Sequence, residues 1–139
     1  MTVDADLKRM AAVRAFIRTA AAAFGASEDS VVDLVQAVDE AATNVIVHGY
    51  AGQPGAIDLS IQQRGADIVV TLADACPPFD PTTVPEPDPS IPPEDRRPGG
   101  MGVHLIRAAT DGFDHTPRGG WGNVLTLVRT LRAREAEEA

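Results

Sequence analysis

The chain has 139 residues, 44% of them hydrophobic, with 12 basic against 20 acidic side chains and a net charge of −8. That length suits one domain with a real core, too little for a second, and the apolar share argues against wholesale disorder. The acidic balance disfavours direct nucleic-acid or anionic-membrane partners, no apolar run reaches the roughly 18–20 residues of a membrane span, and a single lysine, Lys8, leaves no P-loop.

The opening "MTVDADLKRM" lacks the basic start, apolar centre and cleavage site of a signal peptide, so the expected location is cytoplasmic. From Asp4 to Phe24, Leu7, Met10, Val13 or Ala12, Ile17, Ala20 and Phe24 recur at three- and four-residue steps. That spacing predicts an amphipathic helix, ended by Gly25. Its other face carries Lys8, Arg14 and Arg18, either a solvated face or a docking surface for an acidic partner patch. A second helix is expected from about Asp29 to His48, with Ser27, Asp29 or Ser30 as N-cap and Gly49 as its stop. Leu34, Val38, Ala41 or Ala42, and Val45 form its buried stripe. Off that stripe, Glu40, Asn44 and His48 stand at successive four-residue steps, so a carboxylate, an amide and an imidazole share one face. Such a row is either a solvated stripe or a set of ligands.

"GAIDLSIQQRGADIVVTLAD" changes the hydrophobic period from 3.6 to 2 and reads as a hairpin turned at "RGAD". It ends at Asp74, two residues before the lone cysteine, Cys76, which permits no internal disulfide. One cysteine and three scattered histidines exclude a Cys-rich zinc site and HExxH, and there is no G-x-S-x-G elbow. Nine of the eleven prolines lie between Pro77 and Pro98, so the stretch of about 80–98 forms neither helix nor strand and reads as a lid or a spacer. It closes in "RRPGGMG", where a glycine-rich helix start presents backbone N–H groups to an anion and Arg96 and Arg97 add charge. A short helix in "GMGVHLIRAATD", a short strand in "GFDHTP" and a longer one in "NVLTLVRTL" follow, before a charged tail over about 132–139. This order predicts an α+β fold: a two-layer sandwich, mostly antiparallel sheet with helices on one face, as a single domain over 1–139.

Three elements in order, "EAATN" on a helix, "LADACPPFDP" at a strand end and "GGMGVHLI" at the close of the lid, together with "GNVLTLVRTL", resemble the ATP-binding domain shared by gyrase, heat-shock chaperones, histidine kinases and MutL. Length and the "PPFDP" ending are most similar to the small bacterial anti-sigma factor serine kinases. The resemblance covers nearly the whole chain and implies the histidine-kinase-like ATPase fold. It implies ATP and Mg²⁺ as cofactors, with Asn44 holding the metal through its side-chain oxygen and Glu40 as general base. It further implies that Asp74 accepts a hydrogen bond from the adenine amino group, that Gly100 and Gly102 receive the phosphates near Arg97, and that Thr126 supports the adenine contact through water. Where the family has D-x-G, this chain has Asp74–Ala75–Cys76, so a side chain either crowds the adenine-side water or points away. His48 is a nucleotide contact or a helix-end partner of the last carbonyls. The implied partners are an anti-sigma factor antagonist as protein substrate and a sigma factor, and many members form homodimers. The alternative is a non-catalytic partner-binding module with a degenerate nucleotide site. A detached histidine-kinase catalytic domain is a third reading.

Overall fold

The computed structural model describes residues 1–85, 88–92, 94 and 100–132. Its elements run β1 (Thr2–Asp4), α1 (Met10–Ala23), α2 (Glu28–Asn44), β2 (Ala56–Arg64), β3 (Asp67–Asp74), α3 (Gly100–Ala109), β4 (Gly112–Pro117) and β5 (Asn123–Thr130). The five strands form one sheet in the order β1-β2-β3-β5-β4, each neighbouring pair antiparallel. This is the expected α+β sandwich, with a sheet antiparallel throughout.

Strand alternation sorts the sheet into two faces. On one lie Ile57, Leu59, Ile68, Val70, Leu72, Leu125 and Leu127, which bury against Val13 and Ile17 of α1, Leu34 and Val38 of α2 and Ile106 of α3. Each such aliphatic side chain stabilises the fold by about 1.5–3 kcal/mol relative to exposure. The register makes cross-strand rows on this face: Leu59 opposite Leu72, Leu72 opposite Leu125, Leu125 opposite His115. One step along lies the opposite face, with Ser60, Thr71, Thr126 and Asp114 in a row. There the hydroxyls of Ser60 and Thr71 hydrogen-bond each other.

Two helix boundaries depart from the sequence expectation. The first helix does not begin at Asp4. Residues 2–4 instead pair with β2, and the Asp6 side chain accepts from Lys8 N at the head of a 3₁₀ turn, leaving Leu7 exposed. Pairing satisfies N-terminal backbone groups that a helix start would leave without partners. The second helix is capped by Ser27, whose hydroxyl accepts from Ser30 N, but Gly49 does not stop it. The backbone widens into a π turn over Val45–Tyr50, and left-handed Ala51 ends it, its N–H bonding Ile46 O at 3.2 Å. The extra turn brings Tyr50 inward, where its hydroxyl donates to Ala56 O at 2.6 Å and accepts from Ala75 N at 2.9 Å.

Of the candidate docking face, Arg14 is committed to Asp39 of α2 at 2.7 Å. In the expected lid, Pro81–Thr83 form a 3₁₀ turn headed by Asp80. Residues 86–87, 93 and 95–99 of the lid, with Arg96 and Arg97, lie outside the described residues, as do 133–139 of the tail. Among the described residues no helix is long and apolar enough to cross a membrane.

Candidate functional site

A cavity of about 420 Å³ opens between α2, α3, the end of the sheet and the proline-rich segment that follows β3. Its walls are mostly apolar, with Val103, Ile106, Leu125 and Phe79 among them, and its polar lining comes from Asn44, His48, Asp74 and Asn123. A pocket of this kind, apolar with a few placed polar groups, suits a flat heterocycle and a polar tail.

At the sheet end, Asp74 is the last residue of β3 on the helix-covered face and is 2% exposed. Its Oδ1 accepts from Cys76 N at 2.9 Å and from Asn123 Nδ2 at 3.0 Å. The Cys76 thiol hydrogen-bonds the same carboxylate, and the side chain lines the cavity, where a carboxylate has lone pairs left to accept a further bond. The backbone is anchored as firmly: Arg118 donates to Asp74 O at 3.1 Å, and Tyr50 takes the N–H of Ala75. Gly122 closes against Asp74 O at φ +102°, a position where a Cβ would collide with that carbonyl.

Cys76 is buried and lines the cavity, with its sulfur against Gly49: a Cβ at Gly49 would lie 2.7 Å from Cys76 Sγ. Gly49 is therefore glycine to make room for this side chain, which is why it sits inside the helical turn instead of ending it. Burial, and then the neighbouring Asp74 carboxylate, push the Cys76 thiol up to about 12, so it is a neutral wall group and not a nucleophile.

The α2 border of the cavity is built differently. Glu40 and Asn44, one turn apart, both reach toward Gly102 of α3: a Cβ there would meet Glu40 Oε2 and Asn44 Nδ2 at 3.2 Å. Neither side chain makes a hydrogen bond among the described residues. The bare backbone of the glycine start of α3 thus faces a carboxylate and an amide, with no side chain between. His48 lines the rim of the cavity but is exposed, beyond the widened turn.

Thr126 is not in this cavity. Leu125 lines it, and Thr126, one residue on, faces the other side of the sheet between Thr71 and Asp114. A one-residue step on a strand changes faces, so the hydroxyl expected beside the base belongs to the helix-free face. The polar β5 residue at the cavity is Asn123, opposite Asp74 in the register. Sequence reading passed over it. The available signal was a polar residue opening an otherwise apolar strand straight after "RGGWG". Gly100 opens α3 as expected.

Residues 3–129 match the family model described as the histidine kinase-like ATPase domain. The chain belongs to that family. Over 96 residues the chain is 34% identical to the serine/threonine-protein kinase BtrW of Bordetella bronchiseptica, covering 68% of this chain and 67% of that protein. Its fold is similar to the structure of the RsbU and RsbW domains of Rv1364c from Mycobacterium tuberculosis, with TM-score 0.65 and 21% identity. That likeness covers 94% of this chain and only 31% of the other, so this chain spans about a third of that one.

Proposed function

We propose that this domain is an ATP-dependent serine-protein kinase that acts as an anti-sigma factor and phosphorylates an anti-sigma factor antagonist. The observation that carries the reading is the meeting of Glu40 and Asn44 at Gly102, on the border of a cavity that Asp74 also lines. The match to a serine/threonine-protein kinase supports it. In this reading the whole chain is one ATP-binding domain working in the cytoplasm, with a lid over about 80–98, and homodimers are an option open to it.

The roles follow from local chemistry. The Asp74 carboxylate accepts from an exocyclic amino group of the base, and Val103, Ile106 and Leu125 bury the ring faces. Asn44 offers an amide oxygen, a hard donor suited to Mg²⁺, whose other ligands would be phosphate and water oxygens. When bound, the ion neutralises phosphate charge. Gly100 and Gly102, with Arg97, receive the phosphates. Glu40 takes the proton of the substrate serine as its oxygen bonds to the γ-phosphorus; the bond from that phosphorus to the bridging oxygen breaks and ADP leaves with the electron pair. The product serine gains about −1.5 to −2 charge. On a chain of net charge −8 this favours release by repulsion, freeing the kinase for its sigma factor.

One observation favours the second reading, a non-catalytic partner-binding module: the side chain of Cys76 occupies the wall where the family has glycine. Calorimetry of MgATP on the wild type and on Asn44→Ala, with and without magnesium, separates the two. Metal-dependent binding that the variant loses, followed by phosphate transfer to a serine protein, is the expected result. Folded protein that binds no nucleotide sinks the kinase reading and points to the module, with Cys76→Gly as the rescue to try.

A further inference from the structure

The side-chain amide of Asn123 has no role in the chemistry above, yet it is completely bonded. Asn123 is 5% exposed. Its Nδ2 donates to Asp74 Oδ1 at 3.0 Å and to Pro77 O at 3.2 Å, while its Oδ1 accepts from Phe79 N at 2.9 Å and meets His115 Nε2 at 2.7 Å. A primary amide has two N–H donors and two lone pairs on oxygen, so all four are used. The partners also decide which end is which. A carboxylate oxygen and a carbonyl only accept, and the Phe79 N–H only donates, so the amide has one possible orientation. His115 must then donate through Nε2, which leaves Nδ1 toward Asp80 Oδ2 at 3.9 Å.

This arrangement acts on Asp74. The terminal torsion of a carboxylate is broad and two-fold, so a single hydrogen bond leaves it free to swing. Two donors from different elements, Cys76 N and Asn123 Nδ2, converge on Oδ1 and fix the plane. The same amide grips Pro77 and Phe79, at the entry to the proline-rich segment.

We infer that Asn123 is the positioning residue of the base subsite: it holds the Asp74 carboxylate so that this acceptor selects a 6-amino over a 6-oxo purine, and ties that selection to Pro77 and Phe79 in the segment after β3. The inference rests on the nucleotide-site reading. An acceptor held in place attracts an exocyclic amine and repels a carbonyl oxygen. Once free to rotate or draw back, it discriminates less.

The test is the dissociation constants of MgATP and MgGTP, by calorimetry, for the wild type and Asn123→Ala. Loss of one bond to a charged group predicts that the ATP-over-GTP preference falls about tenfold or more. The fall comes from weaker ATP binding, with GTP affinity little changed. A merely structural role would weaken both nucleotides in parallel, and an unchanged ratio in the variant overturns the inference alone. A wild type that binds neither nucleotide overturns the nucleotide-site reading and this inference together. If Asn123→Ala does not fold, His115→Ala on edge strand β4 removes one of the four bonds. The expected result is a smaller fall in the same ratio, and an unchanged ratio overturns the inference.

Discussion

The two ends of the cavity are built on opposite principles. At the sheet end, Asp74, Ala75, Cys76 and Asn123 are locked by hydrogen bonds with Tyr50, Arg118, His115 and each other. At the helix end, Glu40 and Asn44 have no hydrogen-bonded partner among the described residues and stand half-buried beside a glycine. A rigid subsite suits recognition, because its groups need no reorganisation on binding. Unpaired donors and acceptors suit a site completed by ligand, at whose expense they gain their partners. The comparison teaches that the locked end should govern stability and selectivity, and the open end activity and metal dependence.

The hardest blow to that division comes at Glu40. Glu40→Ala should lower serine phosphorylation about 10²–10⁴-fold, the usual worth of a positioned base, with ATP affinity unchanged. Radiolabelled phosphate transfer to a serine protein measures it, and persistent transfer would remove Glu40 from the mechanism. Next, Asn44→Ala should abolish the magnesium dependence of ATP binding, while thermal unfolding of both open-end variants stays within about 0.5 kcal/mol of wild type. A large loss of stability from either would break the comparison.

The locked end should respond in the other sense. Gly49→Ala forces a Cβ to 2.7 Å from Cys76 Sγ and should destabilise by about 1–3 kcal/mol. Much of this loss should be recovered in the Gly49→Ala, Cys76→Ala double variant, since the two changes share one contact. Additive losses by denaturant unfolding would mean that the cysteine does not account for the glycine.

Two smaller effects sharpen the picture. With its thiol at about 12, Cys76 should be alkylated at pH 8 at only about 10⁻⁴ of the rate of the thiolate, because so little is ionised. Rapid labelling of folded protein would show an open wall. The hydroxyl of Thr82, then its backbone N–H and the nearby His115, hold the Asp80 carboxyl below the usual range. A depressed folded-state value means that the contribution is present above the ordinary carboxylate pKa and lost as pH falls through the folded one. The turn at Pro81–Thr83 should therefore loosen only in acid, and amide exchange at Thr82 would report it.

What could be read in advance follows from the range of each signal. The helix stripes, the hairpin and the β5 alternation are local periodicities, and they yielded the fold class. Glu40 and Asn44 were legible because four-residue spacing on a helix places side chains on one face whatever surrounds it. The start of α1 was misread because residues 2–4 find their partners in β2, more than fifty residues away. Gly49 looked like a stop because its reason, the sulfur of Cys76, is contributed by a distant strand end.

Sequence by itself determined an acidic α+β domain with a carboxylate and an amide aligned on one helix, a carboxylate at a strand end and a glycine-rich helix start. Only the tertiary structure decided which β5 residue faces the cavity. Side chains alternate with a period of two, so membership of the site turned on a one-residue register that no local pattern specifies, and it placed Asn123 against Asp74 and Thr126 on the far face.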